Sequence, residues 1–119
     1  MKSKFSKILV LLILVTIFLT SCAVPVPPEK SDYIGEWRSS GKDMYLLILA
    51  DGSVSYNRLK KGASTSVNGP LQKFDGDDFI VGISVFKTRF VVSKPPQKYE
   101  GVWIMVVDGV ELIKPASEY

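Results

Sequence analysis

Cysteine occurs once in this chain of 119 residues, at Cys22, and histidine does not occur at all. Without an imidazole there is no Ser-His-Asp or Cys-His nucleophile arrangement, because each needs that ring as its base. One cysteine and no histidine also leave the usual zinc sites without ligands. Acid–base work falls to carboxylates, lysines and tyrosines. The carboxylates cluster once, at Asp75, Asp77 and Asp78 in the stretch FDGDDF. Hard-cation coordination needs several oxygen ligands, and the Asp-x-Asp-x-Asp-Gly loop ends on a distal glutamate. The spacing here has neither the alternation nor the glutamate, and Asp-Gly-Asp-Asp is a composition that favours a turn. Glycosidase chemistry asks for two carboxyl groups roughly 5–9.5 Å apart across a cleft, which spacing along a chain does not specify. No glycine-rich phosphate loop links a strand to a helix. The residue types predict no catalytic set, no metal site and no cofactor, and the chain reads as a protein that is not an enzyme.

Charge narrows the partners. Of 15 basic residues, Lys2, Lys4 and Lys7 lie in the first seven positions, and no acidic residue precedes Glu29. The remaining 12 basic side chains are matched by 12 acidic ones. The net charge of +3 therefore belongs to the N-terminal segment, and the rest carries no electrostatic footprint for a phosphate backbone. No nucleic-acid partner is expected.

The elements that position Cys22 are read from residues 1–21. A lysine-bearing start precedes the apolar run ILVLLILVTIFL, Ile8 to Leu19, and then the small residues Thr20 and Ser21. This is the layout of a secretory signal peptide. A helix over twelve residues rises about 18 Å, short of the roughly 30 Å hydrocarbon core, so a stable membrane span is not expected. Leu19-Thr20-Ser21-Cys22 resembles the lipobox of bacterial lipoproteins: an aliphatic residue, two small residues and cysteine. The resemblance implies cleavage between Ser21 and Cys22, diacylglycerol on the thiol and acylation (palmitate) of the new α-amino group. Two or three acyl chains hold a protein to a bilayer far more firmly than one does. The expected partner is thus the membrane, through acylated Cys22. Ala23 stands where an aspartate would favour inner-membrane retention, which implies the outer membrane, periplasmic side, in a Gram-negative host.

Residues 22–32 form the lipidated cysteine and a tether: Ala23 to Asp32 contains Pro25, Pro27 and Pro28 and no apolar period. Such a segment favours an extended form at about 3.1 Å per residue. A folded domain is expected over 33–119. Asp51-Gly52, Asp75-Gly76 and Asp108-Gly109 punctuate apolar runs, and Asp-Gly suits hairpin turns whose central residues need positive φ. Val54 and Tyr56 alternate with polar neighbours, and Met44–Ala50 is apolar on both faces, as in a central strand. Phe90 and Val92 share a face; in the closing hairpin Val102, Ile104 and Val106 lie on one face and Trp103, Met105 and Val107 on the other. Leu59–Leu71 reads as a turn and a strand, with Lys60 and Lys61 in a solvated turn; a mobile loop is the other reading. Ser93–Gly101, broken by Pro95-Pro96, reads as a long surface loop. The fold class predicted is all-β: a small antiparallel up-and-down meander of 7–8 strands, a closed or partly closed barrel, after an N-terminal signal helix.

Gly35-Glu36-Trp37 resembles the Gly-x-Trp of the first strand of lipocalins and their calycin relatives, whose tryptophan packs across the closed base of the barrel. Full lipocalins are roughly twice this length, so the resemblance implies a short lipocalin-like barrel. An ordinary core tryptophan at a strand start fits the same three residues. Tyr33, Tyr45 and Tyr99 are candidate contact residues, tyrosine being common at interfaces. The function expected is a lipid-anchored envelope protein, a non-enzymatic binding module for a small apolar ligand or an envelope component. The alternative is a structural or interaction protein such as an assembly factor or hydrolase inhibitor.

Overall fold

The computed structural model describes residues 24–115. The signal segment, Ser21, Cys22 and Ala23 lie outside the described residues. A 3₁₀ turn, Pro28–Tyr33, leads into nine strands: β1 (Gly35–Ser39), β2 (Met44–Ile48), β3 (Ser53–Lys60), β4 (Ala63–Asp75), β5 (Asp78–Ile83), β6 (Phe86–Phe90), β7 (Val92–Tyr99), β8 (Val102–Val107) and β9 (Val110–Pro115). They form one antiparallel sheet in the order β6-β5-β4-β3-β2-β1-β9-β8-β7, curled into a half-barrel. The fold class is all-β, as the turn spacing and alternation predict, with nine strands rather than 7–8.

The alternation of side chains explains why the sheet curls around one core. Trp37 on β1, Met44, Leu46 and Ile48 on β2, Val54 and Tyr56 on β3, Phe79 and Val81 on β5 all point inward. Phe90, Val92, Met105, Val107 and Leu112 complete the same cluster from the far strands. Most are followed by a more exposed neighbour on the other face, the period of two that a pleated strand imposes, while on β5 Ile80 is buried as well. Aromatic rings fill the centre: Phe79 stacks on Phe90 at 4.9 Å, and Tyr56 meets Phe90 edge-on at 5.0 Å. Such pairs add about 0.5–1.5 kcal/mol each beyond the area they bury.

β4 explains the curl. Its first half pairs with β3, from Ala63↔Lys60 to Pro70↔Ser53, and its second half pairs with β5, from Leu71↔Val81 to Asp75↔Asp78, with a bulge between Leu71 and Lys73. A bulge bends the strand that carries it. At the other side of the barrel the two edge strands are consecutive in sequence: β6 ends at Phe90 and β7 begins at Val92. No ladder joins them. Two carboxylates satisfy that corner instead. Asp108 Oδ1 accepts the Val91 N–H at 2.9 Å, and Asp78 Oδ1 accepts the Val92 N–H at 2.8 Å.

Two elements differ from the sequence reading. Ser93–Tyr99 is the edge strand β7, with register shifts on either side of Lys94, and not a loop. Prolines are admitted on an edge strand because one side of it donates to nothing, and with Lys94 and Lys98 they blunt it against pairing with another chain. The proline-rich stretch is not a free spacer either. From Val24 onward it is docked: the Val24 N–H donates to the Leu71 carbonyl at 3.3 Å, and the Val26 N–H to the Ala50 carbonyl at 3.1 Å. Leu59–Leu71 is the turn and strand expected of it.

Candidate functional site

The residue with the most specific sequence signal, Cys22, lies outside the described residues together with Ser21, so the site is built from where the chain enters the fold. Val24 and Val26 lie against the β2–β3 turn and the start of the β4 bulge. The approach is close. A Cβ on Gly52 would stand 2.1 Å from the Val24 carbonyl oxygen, and Gly52 holds φ at +93°, so only glycine leaves room for the docked segment.

The next residues lock onto the β4–β5 turn. Lys30 Nζ donates to the Gly76 carbonyl at 2.9 Å and lies 3.7 Å from the Asp77 carboxylate. The Tyr33 hydroxyl donates to the Asp77 carbonyl at 2.9 Å, and its ring packs edge-on to Phe74 at 5.0 Å. The carboxylate cluster is therefore a turn, as its composition suggests. Arg89 bridges Asp75 at 2.6 Å and Asp78 at 2.9 Å. The hydrogen bond from Arg89, then its charge, holds the Asp75 carboxyl below its ordinary value. Among the described residues no group of three or more carboxylates is arranged to hold a metal ion.

Tyr33 was a candidate contact residue, and the structure places it in the core. Burial, then the negative charges of Asp77 and Asp78, push its pKa up to about 12 from 10.0. Between those values the unfolded chain gives up the phenolic proton while the folded chain keeps it, so the folded state binds more protons and stability falls as pH rises. The effect is absent below pH 10 and complete above about 12, where a shift of about 2 units is worth roughly 2–3 kcal/mol. Tyr33→Phe should flatten this alkaline loss. Urea midpoints taken across that window will show it, and an unchanged slope in the variant would assign the loss elsewhere. Lys114 acts in the opposite sense at lower pH, since burial lowers its pKa and Asp32 only partly opposes this.

Lys114 was not anticipated. It is buried on β9, where its Nζ donates to the Asp32 carbonyl at 2.8 Å and the Ile34 carbonyl at 2.5 Å. It stands over Trp37 at 4.7 Å and Trp103 at 5.5 Å. Trp37 Nε1 donates to the Tyr33 carbonyl at 2.9 Å. An ammonium held by two carbonyls between two indoles acts as a pin, tying the 3₁₀ turn across β1 to the last strand. Its signal in the sequence is only an inward parity on β9, shared with Leu112.

The remaining candidates lie on the surface. Tyr45 receives the Arg38 guanidinium at 5.3 Å, and Tyr99 is exposed at the end of β7. A cleft of about 620 Å³ runs over the outside of β7 beside Pro95, Pro96, Tyr99 and Glu111. A smaller one beside Leu49, Ser53, Asn68 and Gly69 lies on the outer face of β2–β4. The interior between the strands is occupied by Trp37, Phe79, Phe90, Met44 and Met105, each fully buried.

Comparison of the chain with protein-family models, with curated proteins and with solved structures finds no match.

Proposed function

We propose that this protein is an envelope lipoprotein, acylated at Cys22 after removal of residues 1–21, whose β-domain is a non-enzymatic module that engages an envelope component through its outer surface. The observation that carries the reading is the sequence Leu19-Thr20-Ser21-Cys22 at the exit of the apolar run, immediately ahead of a chain that docks on an all-β domain. Ala23 favours the outer membrane facing the periplasm if the host is Gram-negative. The filled core favours a surface-borne interaction, by an assembly factor or hydrolase inhibitor for example, over carriage of a small apolar ligand, because ligand sites usually enclose about 300 Å³ or more. The short lipocalin-like barrel implied by Gly35-Glu36-Trp37 agrees with this only at the level of a curled meander.

Labelled palmitate tests the anchor. The wild-type chain takes up label and sediments with membranes; Cys22→Ser takes up none and is released. Equal labelling of the two would overturn the anchoring. Crosslinking and purification of the same labelled protein from detergent-solubilised envelopes returns one stoichiometric partner, and recovery of none rejects the interaction role.

A further inference from the structure

The β5–β6 hairpin ends in Ile83-Ser84-Val85-Phe86, where Ile83 is 60% exposed, Val85 78% and Phe86 83%. Three large apolar side chains at one hairpin tip are unlike the other tight turns, which carry Lys61-Gly62, Glu100-Gly101 and Asp108-Gly109. The tip is fixed. Ser84 holds φ at 56°, a conformation costly to a residue with a side chain, and its carbonyl accepts a hydrogen bond from Gln72 Nε2 at 3.0 Å.

Position makes the tip informative. Gln72 follows Leu71, whose carbonyl receives the Val24 N–H. On the same stretch of β4, a Cβ on Gly69 would stand 3.8 Å from Gly82 Cα, and Gly69 shares its outer cleft with Leu49. Val24 and Leu49 are themselves exposed. The segment Gly69–Gln72 thus gathers Val24, Leu49 and the hairpin tip into one neighbourhood. Exposed Lys73 and Lys87 flank it, each paired across the ladder to β5, and Asp51, bound to the Ser53 N–H, lies in the adjoining turn. Two residues of chain span at most about 7 Å, so Cys22 lies within that distance of the docked Val24. Acyl chains on Cys22 would then enter the bilayer beside this patch, with no spacer to hold the domain away.

We propose that the tip Ile83–Phe86, with Val24 and Leu49, seats in the phospholipid interface as a second membrane contact next to the lipid anchor. The inference rests on acylation of Cys22. It makes the anchored domain an oriented one, with the β8–β9 turn, at the end of the meander opposite to the β5–β6 tip, directed away from the membrane. Interfacial apolar side chains sit about 5–10 Å into the headgroup and acyl boundary.

The test is Phe86→Trp in the full acylated protein, reconstituted in vesicles of phosphatidylethanolamine and phosphatidylglycerol with brominated acyl chains. Glu111→Trp is the control: an exposed position beside the β8–β9 turn, at the end of the meander opposite to the β5–β6 tip. The wild-type protein supplies the background of Trp37 and Trp103. The added tryptophan at 86 should lose about half its emission to the bromines and resist iodide, as expected of a side chain at that interfacial depth, while the one at 111 should do the reverse. Equal iodide access at both positions overturns the proposal and leaves the anchor standing. Protection from iodide without bromine quenching also overturns it, and indicates that a second copy or another protein covers the patch. Mass measurement of each preparation reports acylation separately, and a chain without acyl groups removes both the anchor and this contact.

Discussion

Trp37→Ala should remove most of the stability of this domain. The indole is fully buried on β1, and deleting a tryptophan from a packed core costs about 3–5 kcal/mol. Two further losses follow from its neighbours. The Tyr33 carbonyl loses its donor, a loss of about 1 kcal/mol, and the Lys114 ammonium loses the nearer of its two rings, about 0.5–2 kcal/mol for a desolvated cation. Domains hold about 5–15 kcal/mol in all, so losses of about 4.5–8 kcal/mol together remove about half or more of a typical domain's stability. Trp37→Phe keeps a ring under Lys114 while giving up the N–H and some volume, and should retain more than half of the wild-type stability. Urea titration followed by far-ultraviolet circular dichroism measures both. A Trp37→Ala variant within about 1 kcal/mol of wild type would mean that Lys114 and Trp37 do not pin the 3₁₀ turn to β9 in the way described.

That pin shows what the residues disclose on their own. Inward parity is local, so Val54 and Tyr56 and the shared face of Phe90 and Val92 are legible from alternation, and with them the all-β class; over 102–107 both faces are apolar, and only the sheet decides that Met105 and Val107 turn inward. Lys114 obeys the same parity, yet a lysine is read as outward unless its acceptors are known. Its acceptors are carbonyls of Asp32 and Ile34, about eighty residues upstream. Tyr33 is missed for a related reason: the Asp77 carbonyl that accepts its hydroxyl is free only because β4 and β5 turn there.

Turn chemistry was legible in part. Asp108-Gly109 has both central φ values positive, at 48° and 78°, the geometry that Asp-Gly favours. Lys61-Gly62 and Glu100-Gly101 adopt it equally, without the side chain that normally announces it. The prolines mislead twice, once at β7 and once in the N-terminal segment. At β7 the pair Pro95-Pro96 falls where the ladder to β8 skips from Lys94 to Gln97, and edge position and bulges are properties of the whole sheet. For Cys22 the order is reversed: the local motif is specific, while its physical consequence depends on the docked Val24. A lipobox followed by prolines suggests a tether; hydrogen bonds from Val24 and Val26 remove it.

Gly82→Ala should be among the most damaging single methyl additions in the described residues. Gly82 has φ of +138°, and a Cβ there would meet the Phe86 carbonyl oxygen at 2.1 Å and Lys87 Cα at 2.7 Å, both backbone atoms of its cross-strand neighbour. No side-chain rotation relieves such a contact, so β6 must move. Backbone strain and overpacking cost about 1–3 kcal/mol each, giving roughly 3 kcal/mol or more. Gly101→Ala separates the two contributions, because φ there is +82° with nothing within 4 Å of the added carbon. It should cost only the conformational part, about 1–2 kcal/mol. The loss at Gly82 has two routes. β6 is an edge strand laddered to β5 alone, so the strain can be relieved by lifting β6 away while the rest of the sheet stays folded. Hydrogen exchange distinguishes them: selective loss of protection along Phe86–Phe90 marks the local route, and uniform loss marks the global one. Local release is the expected result, since the bonds that anchor the corner, from Val91 and Val92 to Asp108 and Asp78, lie beyond the end of β6. Equal effects of Gly82→Ala and Gly101→Ala would show that the two backbones are not in contact. Local release would also unseat the apolar tip while leaving Cys22 and the docked Val24 in place, so the same variant separates a membrane contact made by the hairpin from one made by the acyl chains.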